Sequence, residues 1–227
     1  MAAQVLPTLP DEIVCNIMER VGEESIYHLG GFLRARKRGY ALAHEHSVLK
    51  TCDVREMVTF ATCQIREGGQ FRTMHLKCVN AGNTRAIYHE GLLTAPTSIG
   101  LHASIKILEP NVPKYDMSTL PVGIFNVCLG KDKEAAKIFR QFAAYHHDLR
   151  SDAIVEIGES IEWQLQHSGA IDLKINKYGE SFKFPDDVLI KTPRCIYGHV
   201  YRREAIFGGS CPNCRLFWIC VNISHIL

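Results

Sequence analysis

Apolar residues in the first fifty positions recur at helical spacing. Ile13, Val14, Ile17, Met18 and Val21 fall at i, i+4 and i+8 with an adjoining row, which puts them on one face of a helix. Pro10 has no N–H to leave unpaired in a first turn, and Asp11 and Glu12 sit where the positive end of the helix dipole favours carboxylates. Gly22 is the expected stop. Ser25 can then cap a second helix carrying Ile26, Leu29, Phe32 and Leu33, weakened by Gly30-Gly31 at roughly 1 kcal/mol per helical glycine relative to alanine. Tyr40, Leu42 and Ala43 predict a third short helix that leads into Val48 and Leu49.

The middle of the chain keeps the helical period. Helices are expected from Arg72 to Gly91, over Val122–Gly130, over Lys133–His146 and over Asp152–Gln166, with a break at Pro110–Pro113. Aligning Ala86-Ile87-Tyr88 with Gly123-Ile124-Phe125 suggests two degenerate copies of one helix pair. That period is in the range of short helical repeats, which bury a core by stacking on neighbours. After Gly169 the pattern changes: Lys174–Phe184 mixes aromatics, lysines and turn residues, and Pro185-Asp186-Asp187 marks a boundary. The closing run Leu216–Val221 is continuously apolar but far shorter than the roughly 20 residues a membrane span needs. It is expected to be a buried strand in an otherwise mainly α protein.

Composition narrows the function classes. With 227 residues and 46% hydrophobic content, the chain can fold as one sizeable domain or two small ones and does not read as disordered. A net charge of +2 argues against a nucleic-acid binder, which concentrates a larger positive excess. A solvated helix face explains the basic run Arg34–Arg38 at least as well as a targeting or RNA-binding patch. Nine cysteines, without a basic and apolar leader at Met1–Pro10, imply reduced thiols in a cytoplasmic or nuclear chain and point to metal before disulfides. In such a compartment the Asn222-Ile223-Ser224 sequon carries no weight.

The metal candidate lies near the C-terminus. Cys195-x3-His199 and Cys211-Pro212-Asn213-Cys214 offer three thiolates and an imidazole on two short turns. Zinc accepts mixed sulfur and nitrogen donors and takes four of them in structural sites, leaving no position for a catalytic water. Backbone N–H groups in the Cys-Pro-x-Cys turn can point at the sulfurs. Cys220 and His225 leave a second set open, Cys211/Cys214/Cys220/His225. Cys78 and Cys128, among small and apolar neighbours, read as core residues, and His146-His147-Asp148 as a surface segment. The chain has no Gly-x-x-x-x-Gly-Lys-Ser/Thr loop, no Gly-x-Ser-x-Gly elbow and no His-Glu-x-x-His helix, so no enzyme activity is expected.

Leu9-Pro10-Asp11-Glu12-Ile13-Val14-x-x-Ile17-Met18-x-Arg20-Val21, continuing through Ser25-Ile26, Leu29 and Leu42-Ala43, resembles the F-box. It departs from that pattern at Ala35-Arg36 and at Gly39, where the family has a large aromatic; Tyr40 stands next to it. With Cys78-x3-Gly82-Asn83-x-x-Ala86-x-Tyr88-x-x-Gly91 and the cysteine tail, nearly the whole chain is similar to plant F-box proteins with a Sel1- or TPR-like helical region and a C-terminal Cys/His tail. The resemblance implies an Skp1-docking segment over 6–50, a TPR/Sel1-like helical domain over 55–168 and a Cys/His tail over 186–227. It implies a non-catalytic adaptor of an Skp1–cullin–F-box ubiquitin ligase that docks Skp1 through Leu9, Pro10, Ile13, Ile17 and Val21 and presents an unidentified target protein, with no membrane partner. The alternative from another class is a helical-repeat scaffold whose zinc tail binds nucleic acid or another protein; a metal-dependent hydrolase ranks third.

Overall fold

The computed structural model describes residues 9–59, 62–97, 99–168, 177–187, 190–198 and 211–227. Among the described residues the regular structure is helical, with no strand, as the apolar period implies. The chain divides into two compact units, Met1–Glu90 and Gly91–Leu227.

The first unit contains α1 (Asp11–Glu24), a 3-10 turn (Ile26–Leu29), α2 (Gly30–Leu33), α3 (Arg36–Leu42), α4 (His46–Thr51), α5 (Arg55–Thr59), α6 (Arg72–Asn80) and the start of α7 (Thr84–Thr94). α1 packs on α4 and buries Val14 and Met18. Gly22 does not stop α1, which runs on to Glu24. Its role is close approach: a Cβ there would lie 3.3 Å from that of Cys52, and its carbonyl accepts the Asp53 N–H at 2.8 Å. Ser25 caps as expected, but it caps a 3-10 turn, its hydroxyl accepting the Tyr27 N–H at 3.3 Å and donating to Glu56 at 2.8 Å. Gly39 is buried, whereas Tyr40 is half exposed, tilted against the His44 ring with Lys77 over its own ring. The neighbouring tyrosine therefore does not fill the core in place of a missing aromatic.

Deeper in this unit, Asn83 donates from Nδ2 to the carbonyls of Leu49 (3.0 Å) and Cys52 (2.7 Å), closing the end of α4. Cys52 and Cys78 are buried with sulfurs 3.7 Å apart, which makes Cys78 the core residue its setting suggests. Arg72 grips Glu90 with its two terminal guanidinium nitrogens, Nη1 and Nη2, at 2.5 and 2.8 Å, and buried His75 lies 3.4 Å from the same carboxylate. Burial raises the Glu90 carboxyl, but hydrogen bonding from His75 and from Arg72, with the Arg72 charge, outweighs it and holds the group down at about 2, because donors and a nearby positive charge stabilise the ionised form.

The second unit contains the rest of α7, then α8 (Gly100–Leu108), α9 (Asp116–Cys128), α10 (Asp132–Tyr145), α11 (Asp152–His167) and α12 (Arg215–Ile226). α9 is its central element, buried from Ser118 to Cys128. α10 packs along α9, and α11 and α12 flank it. Small residues set these spacings: a Cβ on Gly123 would stand 2.4 Å from the Phe139 ring, and one on Gly158 would stand 2.9 Å from Ile219.

Leu216–Val221 is not a strand. It is the apolar part of α12, which continues to Ile226 with Leu216, Ile219, Cys220 and Ile223 buried. A short apolar run has no period to separate a buried helix from a strand, and contact with both α11 and α9 demands apolar residues on more than one side. Asn222 is buried and donates to Glu162 at 3.0 Å, so the sequon asparagine is a helix–helix contact.

Ala86-Ile87-Tyr88 and Gly123-Ile124-Phe125 do not occupy equivalent places. The first trio lies in α7, after a turn, and the second in α9, before one. The likeness between the two halves is in the turns. At the end of α6, the N–H of Gly82 meets the Val79 carbonyl and that of Asn83 meets Cys78; at the end of α9, Gly130 meets Val127 and Lys131 meets Asn126. Gly82 and Gly130 have φ of +76° and +72°, the left-handed backbone that glycine adopts without steric cost at a helix C-terminus.

Candidate metal centre and exposed face of the first helix

The Cys-Pro-Asn-Cys segment is a turn that starts a helix. The Cys214 N–H bonds the Cys211 carbonyl at 3.0 Å, and the Cys214 carbonyl accepts the Trp218 N–H at 3.1 Å in the first turn of α12. Both sulfurs therefore sit at the positive end of a helix, where the dipole favours anionic sulfur, an effect that burial outweighs at Cys214. Cys195 reaches them from a separate 3-10 segment (Arg194–Gly198). The sulfurs of Cys195, Cys211 and Cys214 lie within 4.8 Å of one another.

The spacing fits a metal. Tetrahedral sulfurs about 2.3 Å from zinc are about 3.8 Å from each other, and the Cys195–Cys211 separation is 3.8 Å. A disulfide would need about 2.0 Å. The Asn213 backbone N–H points at the Cys211 sulfur and, with its neighbouring thiols, lowers its pKa. Burial raises Cys195, and burial with the adjoining sulfurs pushes Cys214 up to about 12. A metal bound there would require the two thiols with raised pKa to release their protons.

Three of the expected ligands are brought together; the fourth, His199, lies outside the described residues. The second set, Cys211/Cys214/Cys220/His225, is not assembled. Cys220 is wholly buried on α12, and His225 is exposed at the far end of that helix. Nor do His146 and His147 converge: His146 Nε2 contacts the Pro113 carbonyl at 2.5 Å, and His147 Nε2 lies 3.9 Å from Asp116.

On α1 the apolar positions split into two rows. Val14 and Met18 are buried, while Leu9, Ile13 and Ile17 remain 39%, 46% and 43% exposed. Pro10 is exposed at the same end, and Val21 is half-buried. Arg38 fixes the start of the helix, bonding Asp11 from Nε at 2.8 Å and also reaching the Leu9 carbonyl. The periodicity that located this face could not say which row would stay outside.

Fold and site thus define a mainly helical protein with a three-cysteine cluster able to hold a metal. Comparison with protein-family models, curated proteins and solved structures finds no match to the chain. Among the described residues no helix is long and apolar enough to cross a membrane.

Proposed function

We propose that the chain is a non-catalytic substrate adaptor of an Skp1–cullin–F-box ubiquitin ligase, of the plant type with a TPR- or Sel1-like helical region. The observation that carries this reading is the exposed row Leu9–Ile13–Ile17 on a helix whose adjoining row, Val14 and Met18, is already buried. Apolar side chains aligned along one exposed helix face are the chemistry by which a helix seats in a partner's groove. Pro10 and Val21 extend that face at its two ends. The similar helix–turn–helix connections around Gly82 and Gly130, one in each unit, support a repeat-like scaffold. Zinc on Cys195, Cys211 and Cys214, with His199 as the proposed fourth ligand, would hold the C-terminal turn to the preceding loop in a structural role.

In such an adaptor the chain contributes proximity, raising the effective concentration of the target at the ligase. The cytoplasm and the nucleus are the compartments in which reduced cysteines and this assembly fit. A nucleic-acid scaffold is less well supported, because Arg38 of the basic run is engaged by Asp11 at 2.7 Å. The deciding experiment is capture of purified Skp1 by the zinc-loaded chain, with Ile13→Asp/Ile17→Asp as the control. Binding by the unaltered chain and its loss in the double variant are expected; no binding, or binding that survives the substitutions, defeats the proposal.

A further inference from the structure

A groove of about 1080 Å³ runs beside the cysteine cluster in the second unit. Half-buried Leu149, Phe184 and Phe217 give it an apolar floor, with the two phenylalanine rings edge to face at 5.3 Å. Exposed Arg150, Lys191 and Arg194 stand on the rim, and Asp186 is the one carboxylate among the lining residues. Nearby cations are neutralised: Arg140 by Asp187, Lys183 by Asp132 and Arg215 by Asp152. The three rim cations have no such partner among the described residues.

An apolar floor under an unneutralised positive rim is complementary to a segment that alternates apolar and acidic side chains. We propose that this groove binds an acidic, apolar-bearing peptide segment of a partner protein. The segment's large side chains would lie on Phe184 and Phe217, and its carboxylates against Arg150, Lys191 and Arg194. Cys195 and Asn213, which stands between Cys211 and Cys214, both line the groove. A metal held by the three cysteines would tie these two lining segments together and hold the groove's shape. That the bound segment belongs to a ubiquitylation target rests on the adaptor reading; the groove's preference for acidic peptides does not.

The test is fluorescence anisotropy on the full zinc-loaded chain. The probes are fluorescein-labelled twelve-residue peptide pools with Asp or Glu alternating with Leu or Phe, and matching pools with Lys at the acidic positions. The acidic pool should bind, weaken at least tenfold between low and high salt as screening shortens the reach of the rim charges, and outcompete the lysine pool. Arg150→Glu/Arg194→Glu, and separately Lys191→Glu, should each lower affinity, the double variant at least tenfold, with circular dichroism and zinc content unchanged. Chelation should abolish binding. Ile13→Asp/Ile17→Asp should bind the acidic pool normally, so a failure of Skp1 docking and a failure of the groove are read separately. Equal binding of acidic and lysine pools, indifference to the rim substitutions, or tighter binding of a single-stranded oligonucleotide through the same residues would overturn the proposal.

Discussion

Replacing Ile13 and Ile17 by aspartate separates a docking face from an ordinary helix surface. Both side chains are close to half exposed, at 46% and 43%. Fully burying an isoleucine is worth about 1.5–3 kcal/mol, so covering the exposed part of each would contribute about 0.7–1.3 kcal/mol to association. Leu9, at 39% exposed, adds a similar amount, and the row together supplies about 2–4 kcal/mol. At about 1.4 kcal/mol per tenfold, losing the two isoleucines alone weakens binding by about 10- to 100-fold. Two carboxylates pressed into an apolar contact cost several kcal/mol more. Folding should be nearly unaffected. Position 13 lies in the first turn of α1, where an acid is favoured, and exposed substitutions usually change stability by about 0.5 kcal/mol or less. Titration calorimetry against Skp1 and thermal melting of the isolated chain measure the two effects. A variant that melts like the unaltered chain and still binds within threefold would refute the assignment of this face; a variant that unfolds would show that the row is core after all.

Other outcomes follow from the same geometry. Cobalt(II) added to the reduced chain should give intense sulfur-to-metal charge-transfer bands in the near ultraviolet, diminished in Cys195→Ser and in Cys214→Ser but unchanged in Cys220→Ser; absent bands, or equal loss in Cys220→Ser, would count against the cluster. Glu90, held at about 2 against the ordinary 4.5, has a depressed native pKa. Its contribution is therefore present above about pH 4.5 and lost as pH falls through about 2. Glu90→Gln, which leaves Arg72 without its buried partner, should destabilise by about 3 kcal/mol at pH 7 in urea titrations and flatten the acid limb. Gly123→Ala places a methyl within 2.4 Å of the Phe139 ring and should cost about 1–3 kcal/mol through overpacking. Gly30→Ala meets nothing within 4 Å on right-handed helical backbone, and should instead be neutral or stabilising by up to about 1 kcal/mol; thermal melts that reversed the order would contradict the packing described.

Local chemistry in the chain determined a good deal by itself. The i, i+4 rows made α1 a helix, Ser25 capped the next turn, and α10 and α11 lie within a residue of their expected limits. The Cys-Pro-x-Cys turn was legible because its ligands are three residues apart and its hydrogen bonds are local. Tertiary structure decided what depends on distant neighbours. Packing on α4 chose Val14 and Met18 as the inward row and left Ile13 and Ile17 outside. Contact with α9 and α11 made Leu216–Val221 part of a helix, and it turned Cys220 into the core and away from the three-cysteine cluster. The separation of Cys195 from Cys211, and the gathering of Arg150, Lys191 and Arg194 around one groove, bring together residues far apart in the chain. No periodicity records such meetings, because they depend on how helices stack and not on what each helix is made of.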